Sequence, residues 1–120
     1  MRENKKKLGE IGERAVAKFL KSKGYKVIEN NYRTRYGEID IIALKDGILS
    51  FVEVKTRTTL KCGIPEEAVD FRKQKKIRSM AVEFLTNSKI CYKALRFDVA
   101  AVKASKDGSI ENIKIYEGAF

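Results

Sequence analysis

The sequence predicts one α/β domain, in which helices flank a central mixed β-sheet and the elements follow the order α-β-β-β-α-β-β. Two segments carry apolar residues at helical spacing, and five shorter segments carry the alternating or continuous apolar runs that are typical of strands. Helices separated by several strands favour a mixed sheet. The 120 residues contain no linker-like or repeated tract, which indicates a single domain over residues 1–120.

The first helix is predicted over residues 8–23, with Gly24 where a C-cap glycine belongs. A short strand is predicted over residues 25–29, and the polar stretch that follows, up to Gly37, is predicted as a connection. The apolar stripe of the helix consists of Leu8, Ile11, Ala15, Val16, Phe19 and Leu20.

Two central strands are predicted over residues 38–44 and 48–56, joined by a tight turn at Lys45, Asp46 and Gly47. Both strands are apolar on each face, which indicates that they are covered on both sides. In the first strand, alternation places Ile39, Ile41 and Ala43 on one face and Ile42 and Leu44 on the other.

The second helix is predicted from Pro65, which suits a first helical turn, to about Leu85. Glu66 and Glu67 would favour the dipole of that turn. The apolar stripe consists of Ala68, Val69, Ile77, Met80, Ala81, Phe84 and Leu85, and the opposite face carries Arg72, Lys73, Lys75, Lys76 and Arg78. The last two strands are predicted over residues 95–102 and 110–116, with a turn at 106–108.

The composition favours a polyanionic partner, because 26 Lys and Arg against 16 Asp and Glu give a formal net charge of +10. The lack of histidine excludes imidazole-based triads and histidine-ligated zinc. Cys62 and Cys91 have no CxxC spacing and are interpreted as reduced thiols. We see no bilayer-length apolar run and no signal-peptide core, so a cytoplasmic protein without membrane attachment is expected.

Charged residues interrupt the two central strands, where apolar residues are expected. Alternation places Glu38 and Asp40 on one face of the first strand, shared with Ile42. It places Glu53 and Lys55 on one face of the second strand. The hairpin then brings Asp40, Glu53 and Lys55 together at one end of the sheet. Such charges are costly to desolvate, so they must form ion pairs, contact solvent at the edge of the sheet, or be neutralised by a cation.

A hard divalent cation suits this set, because Mg²⁺ in proteins is usually held by one or two carboxylates, phosphate oxygens and water. Lys55 would then orient or deprotonate a water, or stabilise charge on the phosphoryl oxygens. The alternative is a structural ion pair at the strand end, between Glu53 and Lys55 or across to Asp40.

Five segments together resemble a known family: GERAVAKFL, GEIDIIA, FVEVKTR, the KQKKI of the second helix, and RFDVAAV with the terminal GAF. Asp40 followed by Glu53, Val54 and Lys55, between two helices, is similar to the PD-(D/E)xK restriction-endonuclease-like superfamily. More closely, the chain resembles the YraN-like family of small bacterial proteins, over nearly its whole length. The resemblance implies a restriction-endonuclease-like fold. The superfamily's proline before the aspartate is replaced here by Ile39.

The resemblance implies a Mg²⁺- or Mn²⁺-dependent endonuclease that hydrolyses phosphodiester bonds in DNA, with branched or recombination-type DNA as a candidate substrate. It implies that Asp40 and Glu53 bind the metal, together with the carbonyl of Val54. Lys55 would be the catalytic lysine. Glu13 matches the first-helix glutamate that reaches into the same site in the related archaeal Holliday-junction resolvases.

Three further polar residues keep open interpretations. Glu38 is either an auxiliary metal ligand or a solvated carboxylate where the strand begins. Gln74 is similar to a helix glutamine of some superfamily members. Asp98, which interrupts a later apolar strand, is interpreted as a buried partner of Arg96 or of a helix end.

Basic residues that flank the proposed site are expected to bind phosphates: Arg33, Arg35, Arg57, Lys73 and Lys76. The main alternative to the enzyme is a non-catalytic nucleic-acid-binding module that keeps the charged site for structure. A small RNA-binding or ribosome-associated domain would explain the charge, but not the acids within apolar strands. The sequence leaves the oligomeric state open, a homodimer included.

Overall fold

A computed structural model describes the backbone of residues 2–58 and 69–120, and the side chains from residue 6 onward within these ranges. The described ranges form α1 Arg2–Ser22, β1 Lys26–Thr34, β2 Gly37–Lys45, β3 Ile48–Arg57, α2 Phe71–Thr86, β4 Ala94–Ala104 and β5 Ile110–Tyr116. The strands form one sheet in the order β1-β2-β3-β4-β5, in which β3 and β4 are parallel and the other neighbours antiparallel. The predicted element order and mixed sheet are confirmed.

The two helices cover opposite faces of the sheet, because the inner strands direct apolar side chains to both sides. The core under α1 consists of Val16, Ala17, Leu20, Ile41, Ala43, Val52, Ala100 and Val102. The core under α2 consists of Ile39, Ile42, Leu49, Phe51, Val69, Ile77, Met80, Ala81, Phe84, Phe97 and Val99. The flanking arrangement that the sequence predicts is therefore present.

The helix α1 approaches β3 closely at Gly12. This glycine is buried, and a Cβ atom in its place would overlap the hydroxyl oxygen of Thr56. The helix ends as predicted, since Gly24 has φ 93° and the Tyr25 N–H donates to the Leu20 carbonyl at 3.0 Å. The close approach holds the residue after Gly12, which is the predicted site residue Glu13, against the sheet.

The strand β1 is longer than predicted. It continues to Thr34, so the polar residues 30–34, predicted as a connection, belong to a strand. β1 is an edge strand that pairs with β2 alone, and most of its side chains face solvent. Polar residues are therefore compatible with it, and the hydrophobic pattern that reveals inner strands is weak there.

Ile39 lies on the opposite face from the one predicted. It packs with Ile42 under α2, whereas Ile41 packs under α1. The alternation breaks at Asp40, since β2 pairs with β3 only from Ile41 onward. Facing this point, Asn31 of β1 has φ 54°, a left-handed conformation that asparagine adopts more readily than most residues. The break turns Asp40 towards the gap between β2 and β3.

The helix α2 begins at Phe71 rather than at Pro65. Asp70 has extended backbone and caps the helix, because its side chain accepts a hydrogen bond from the Lys73 N–H at 2.8 Å. Pro65 itself lies outside the described residues. The apolar stripe is confirmed where it is described, with Ile77, Met80, Ala81 and Phe84 buried.

The β2–β3 turn follows its prediction. Asp46 and Gly47 have φ 51° and 79°, and a two-residue type I′ turn requires positive φ at both positions. Cys91 is exposed and free, whereas Cys62 lies outside the described residues. Neither helix, within the ranges described, has the length and apolar character needed to cross a bilayer.

We expect Gly12→Ala to destabilise the domain by about 1 to 3 kcal/mol, because the added methyl group must displace Thr56 or the helix. Gly9 is the matched control, since it lies in the same helix and a Cβ atom there meets nothing within 4 Å. Gly9→Ala should be neutral or stabilising by up to about 1 kcal/mol, as alanine is the better helix former. Urea unfolding measures both variants, and equal stabilities would contradict the close approach.

Candidate functional site

The candidate site lies where β2 and β3 separate. Ladder pairing between these strands ends at Ile41 and Val52. Beyond that point the Asp40 side chain takes the place of a strand partner, because its Oδ2 accepts a hydrogen bond from the Val54 N–H at 2.7 Å. The sheet itself therefore holds this carboxylate between the two strands.

Three carboxylates converge at this opening. Glu13 comes from α1 and Glu38 and Asp40 come from β2, and each offers an oxygen within 4.8 Å of the others. Asn31 of β1 joins two of them, since its Nδ2 donates to Glu13 Oε1 at 2.7 Å and to Glu38 Oε1 at 2.8 Å. The other oxygen of Glu38 accepts from Arg33 Nε at 3.2 Å. Glu38 thus belongs to the acidic group, although its side chain is still 32% exposed.

Glu53 is buried and lies between two lysines. It is 7% exposed. Its Oε1 accepts from Lys73 Nζ at 2.5 Å and lies 3.6 Å from Lys55 Nζ. The Glu53–Lys55 ion pair that the sequence left as an alternative is therefore present, with Lys73 as the nearer partner. Lys73, which was predicted to contact phosphate, pairs with Glu53, and its binding to phosphate stays a prediction.

Burial raises the pKa of Asp40 to about 7. Burial is the largest cause of this raised pKa. Among the neighbouring negative charges, Glu53 raises the pKa most, and Glu13 and Glu38 raise it less. The hydrogen bond from the Val54 N–H lowers the pKa but does not outweigh the other effects. The Asp40 and Glu53 carboxylates therefore lie close enough to repel each other, and Asp40 is only partly ionised at neutral pH.

The two lysines of the site differ in how firmly they hold a proton. Burial lowers the pKa of Lys55, and the neighbouring Lys73 lowers it further, against the attraction of Glu53. Burial also acts to lower the pKa of Lys73, but its hydrogen bond to Glu53 outweighs this effect and the pKa is raised. Lys55 is consequently the better proton acceptor of the two.

The remaining predicted basic residues lie around the site with other contacts. Arg35 lies over the ring of Tyr36, with its guanidinium carbon 4.9 Å from the ring centre. Arg57 is exposed at the end of β3, and Lys76 lines a groove between α2 and the β1–β2 hairpin. Their binding to phosphate stays a prediction.

Two polar residues that the sequence singled out have structural contacts away from the site. Gln74 donates from Nε2 to the Val69 carbonyl at 2.9 Å, just before α2. Asp98 accepts from Arg96 Nε at 2.9 and 3.1 Å with its two oxygens, and from the Gly118 N–H at 2.9 Å. The predicted pairing of Asp98 with Arg96 is confirmed.

Sequence reasoning missed Asn31 as a site residue. Asparagine is enriched among residues with left-handed backbone, so the residue type weakly indicated an irregular position in the strand. Because residues 30–34 were predicted as a connection, no contact of Asn31 with the acidic residues was expected. Sequence reasoning also missed Lys73 as the partner of Glu53. That contact depends on how α2 is set against the sheet, which helical periodicity does not determine.

The sequence model of the family described as "Uncharacterised protein family UPF0102" matches residues 12–102, a range that contains every residue of the candidate site. A UPF0102 protein of Dictyoglomus turgidum is 43% identical over 117 residues, which cover 98% of this chain and 99% of that protein. A UPF0102 protein of Alkaliphilus metalliredigens is 46% identical over 108 residues, which cover 90% and 95%.

The stability of the domain should respond to the charge of Asp40. The folded state keeps this carboxyl protonated up to a pH of about 7, whereas the unfolded chain releases the proton near pH ~4. Wild type should therefore lose stability relative to Asp40→Asn as the pH rises from about 4 to about 7, with no further change above. Urea unfolding of both proteins across this range measures the difference, and a difference independent of pH would contradict it.

Proposed function

This chain belongs to the UPF0102 family, and we propose that it is a metal-dependent endonuclease that hydrolyses phosphodiester bonds in DNA. The observation that carries the proposal is the convergence of Glu13, Glu38 and Asp40 at the opening between β2 and β3, beside the buried Glu53. Carboxylates that repel one another in a half-buried position are unfavourable unless a cation compensates them.

The donor set fits Mg²⁺ or Mn²⁺, because hard divalent cations prefer oxygen ligands and the group offers only carboxylates. Glu13, Glu38 and Asp40 would hold the ion, and Glu53 would join them after Lys73 moves away. The Val54 carbonyl, on the residue that donates to Asp40, is the remaining predicted ligand. Such an ion, when bound, polarises phosphoryl oxygens and lowers the pKa of coordinated water.

Lys55 is the residue proposed to act on the attacking water. Burial and the neighbouring Lys73 lower its pKa, so Lys55 gives up its own proton more readily than an exposed lysine and would then accept one from the attacking water. Lys73 has a raised pKa and would neutralise charge that develops on the phosphoryl oxygens after it leaves Glu53. Glu53 also contacts Lys55, and this contact would position Lys55.

The finer fold assignment belongs to the same proposal. A mixed sheet with a helix on each face, and a carboxylate where two inner strands part, supports a restriction-endonuclease-like architecture. The net charge of +10 and the cations of α2 support DNA as the partner.

A second candidate function is a nucleic-acid-binding module without catalysis. The Lys73–Glu53 hydrogen bond favours it, because Glu53 is already compensated by a cation of the chain itself. In that case Glu53 is a structural residue, and its removal leaves two lysines without their partner.

We expect Glu53→Gln and Lys55→Ala each to reduce cleavage of labelled linear, flap and four-way DNA by about 100-fold or more. Mn²⁺ titration should show weaker binding in Glu53→Gln and nearly unchanged binding in Lys55→Ala, because only Glu53 is a proposed ligand. Glu111→Gln and Lys103→Ala are matched controls, since these residues form a strand ion pair of 3.7 Å elsewhere in the sheet.

The binding module gives a different pattern. Glu53→Gln would then lower stability by about 1 to 3 kcal/mol, since Glu53 is buried but Lys73 stays partly in water. If the wild-type protein neither binds divalent metal nor cuts any of the three DNA forms, the proposed nuclease activity is wrong.

A further inference from the structure

Tyr36 is an exposed aromatic residue at the tip of the β1–β2 hairpin. It is 49% exposed, yet its neighbours hold it in place. Its N–H donates to Thr34 Oγ1 at 3.0 Å, and its hydroxyl accepts from Arg35 Nη2 at 2.8 Å. The ring is therefore ordered by contacts within the turn. The Arg35 guanidinium lies over the ring, 4.9 Å from its centre, so a ligand would stack on the face that Arg35 leaves open.

A groove of about 320 Å³ leads from Tyr36 to the candidate site. Arg72 and Lys76 of α2 line it beside the tyrosine, and Glu38 and Lys73 line it as well. Glu38 belongs to the acidic group, and Lys73 contacts Glu53. The groove therefore connects the aromatic ring directly with the residues proposed to act on phosphate.

A second groove, of about 580 Å³, also borders the ring and is lined by Arg35, Tyr36, Ser79, Val82 and Glu83. Val82 is 63% exposed and offers an apolar surface to a base, whereas Glu83 disfavours phosphates in this groove. Phosphates would therefore follow the first groove, which carries Arg72, Lys73 and Lys76. A flat apolar ligand that continues into a chain of negative charges would match this arrangement.

Unpaired DNA has this chemistry. Proteins that bind single strands combine aromatic rings, on which bases stack, with cations that follow the phosphates. In a duplex, the faces of the bases are already stacked on their neighbours, so an exposed ring gains little there. An aromatic ring next to a phosphodiester-cleaving site would favour strands whose bases are unpaired.

We propose that Tyr36 is a stacking platform for an unpaired base, so that DNA with a single-stranded segment is the preferred substrate of this site. This inference rests on the proposed function for its link to cleavage, but not for the binding itself. The phosphates of the stacked strand follow Arg72 and Lys76 towards Lys73.

The test measures binding without cleavage. Wild type and Tyr36→Ala are titrated, in EDTA, with a single-stranded oligonucleotide that contains 2-aminopurine and with the duplex of the same sequence. Tyr36→Ala should weaken single-strand binding by roughly 5- to 150-fold and remove the quenching of 2-aminopurine. Duplex binding should change by less than about 2-fold. Tyr36→Phe should keep most of the single-strand affinity, because it keeps the ring and loses only the hydroxyl that accepts from Arg35.

Tyr92→Ala is the matched control. Tyr92 is 43% exposed, but it precedes Lys93, whose N–H donates to the Gly47 carbonyl at the β2–β3 turn, at the opposite end of β3 from Lys55. Tyr92→Ala should bind both DNA forms as wild type does. Unchanged single-strand binding by Tyr36→Ala, or an equal loss for both DNA forms, would overturn the platform.

Cleavage with Mg²⁺ or Mn²⁺ is measured separately on the same strands. If stacking depends on Tyr36 but the wild-type protein cuts no DNA, the result supports the stacking role of Tyr36 and contradicts the proposed nuclease activity. If the wild-type protein cuts DNA and Tyr36→Ala cuts every strand at the same rate, the result contradicts the stacking role of Tyr36 and supports the nuclease activity.

Discussion

The hydrogen bond between the Val54 N–H and the Asp40 carboxylate determines the arrangement around it. β2 and β3 stop pairing at Ile41 and Val52, and a backbone N–H beyond that point needs another acceptor. Asp40 supplies this acceptor at 2.7 Å, which fixes a carboxylate between two strands of the sheet. The strand turns at Asp40, so Ile39 is directed under α2. The opening that remains is where α1 brings its own carboxylate.

Burial and repulsion outweigh hydrogen bonding at Asp40, since its pKa is raised although a backbone N–H donates to it. Lys55 and Lys73 both pair with Glu53, and among the described side chains no ion pair reaches Asp40. The site therefore separates into a part around Glu53, which two lysines compensate, and an acidic part, in which Arg33 pairs with Glu38 but no described cation pairs with Asp40. The second part supports the proposal of a bound cation.

Hydrophobic periodicity predicted the presence of both helices and of the inner strands, because those elements bury a regular face. It did not predict where the helices begin, which is Arg2 rather than residue 8 for α1 and Phe71 rather than Pro65 for α2. It failed at β1, whose polar side chains face solvent at the sheet edge, and at Ile39, because alternation holds only while a strand stays regular. Asp40, Glu53 and Lys55 were found as charges within apolar strands. Asn31 and the contact of Lys73 with Glu53 were not, since they depend on a left-handed residue and on the placement of a helix against the sheet.

The chain contains a second aspartate within an apolar strand, and the comparison shows what distinguishes Asp40. Asp98 is 1% exposed, yet both of its oxygens accept from Arg96 and one also accepts from the Gly118 N–H. Its charge is fully compensated, so burial there requires nothing from outside the chain. Asp40 has one backbone donor and three carboxylates around it. Both residues break the same sequence pattern, but only Asp40 has a carboxylate whose charge a proton or a ligand from outside the chain has to balance.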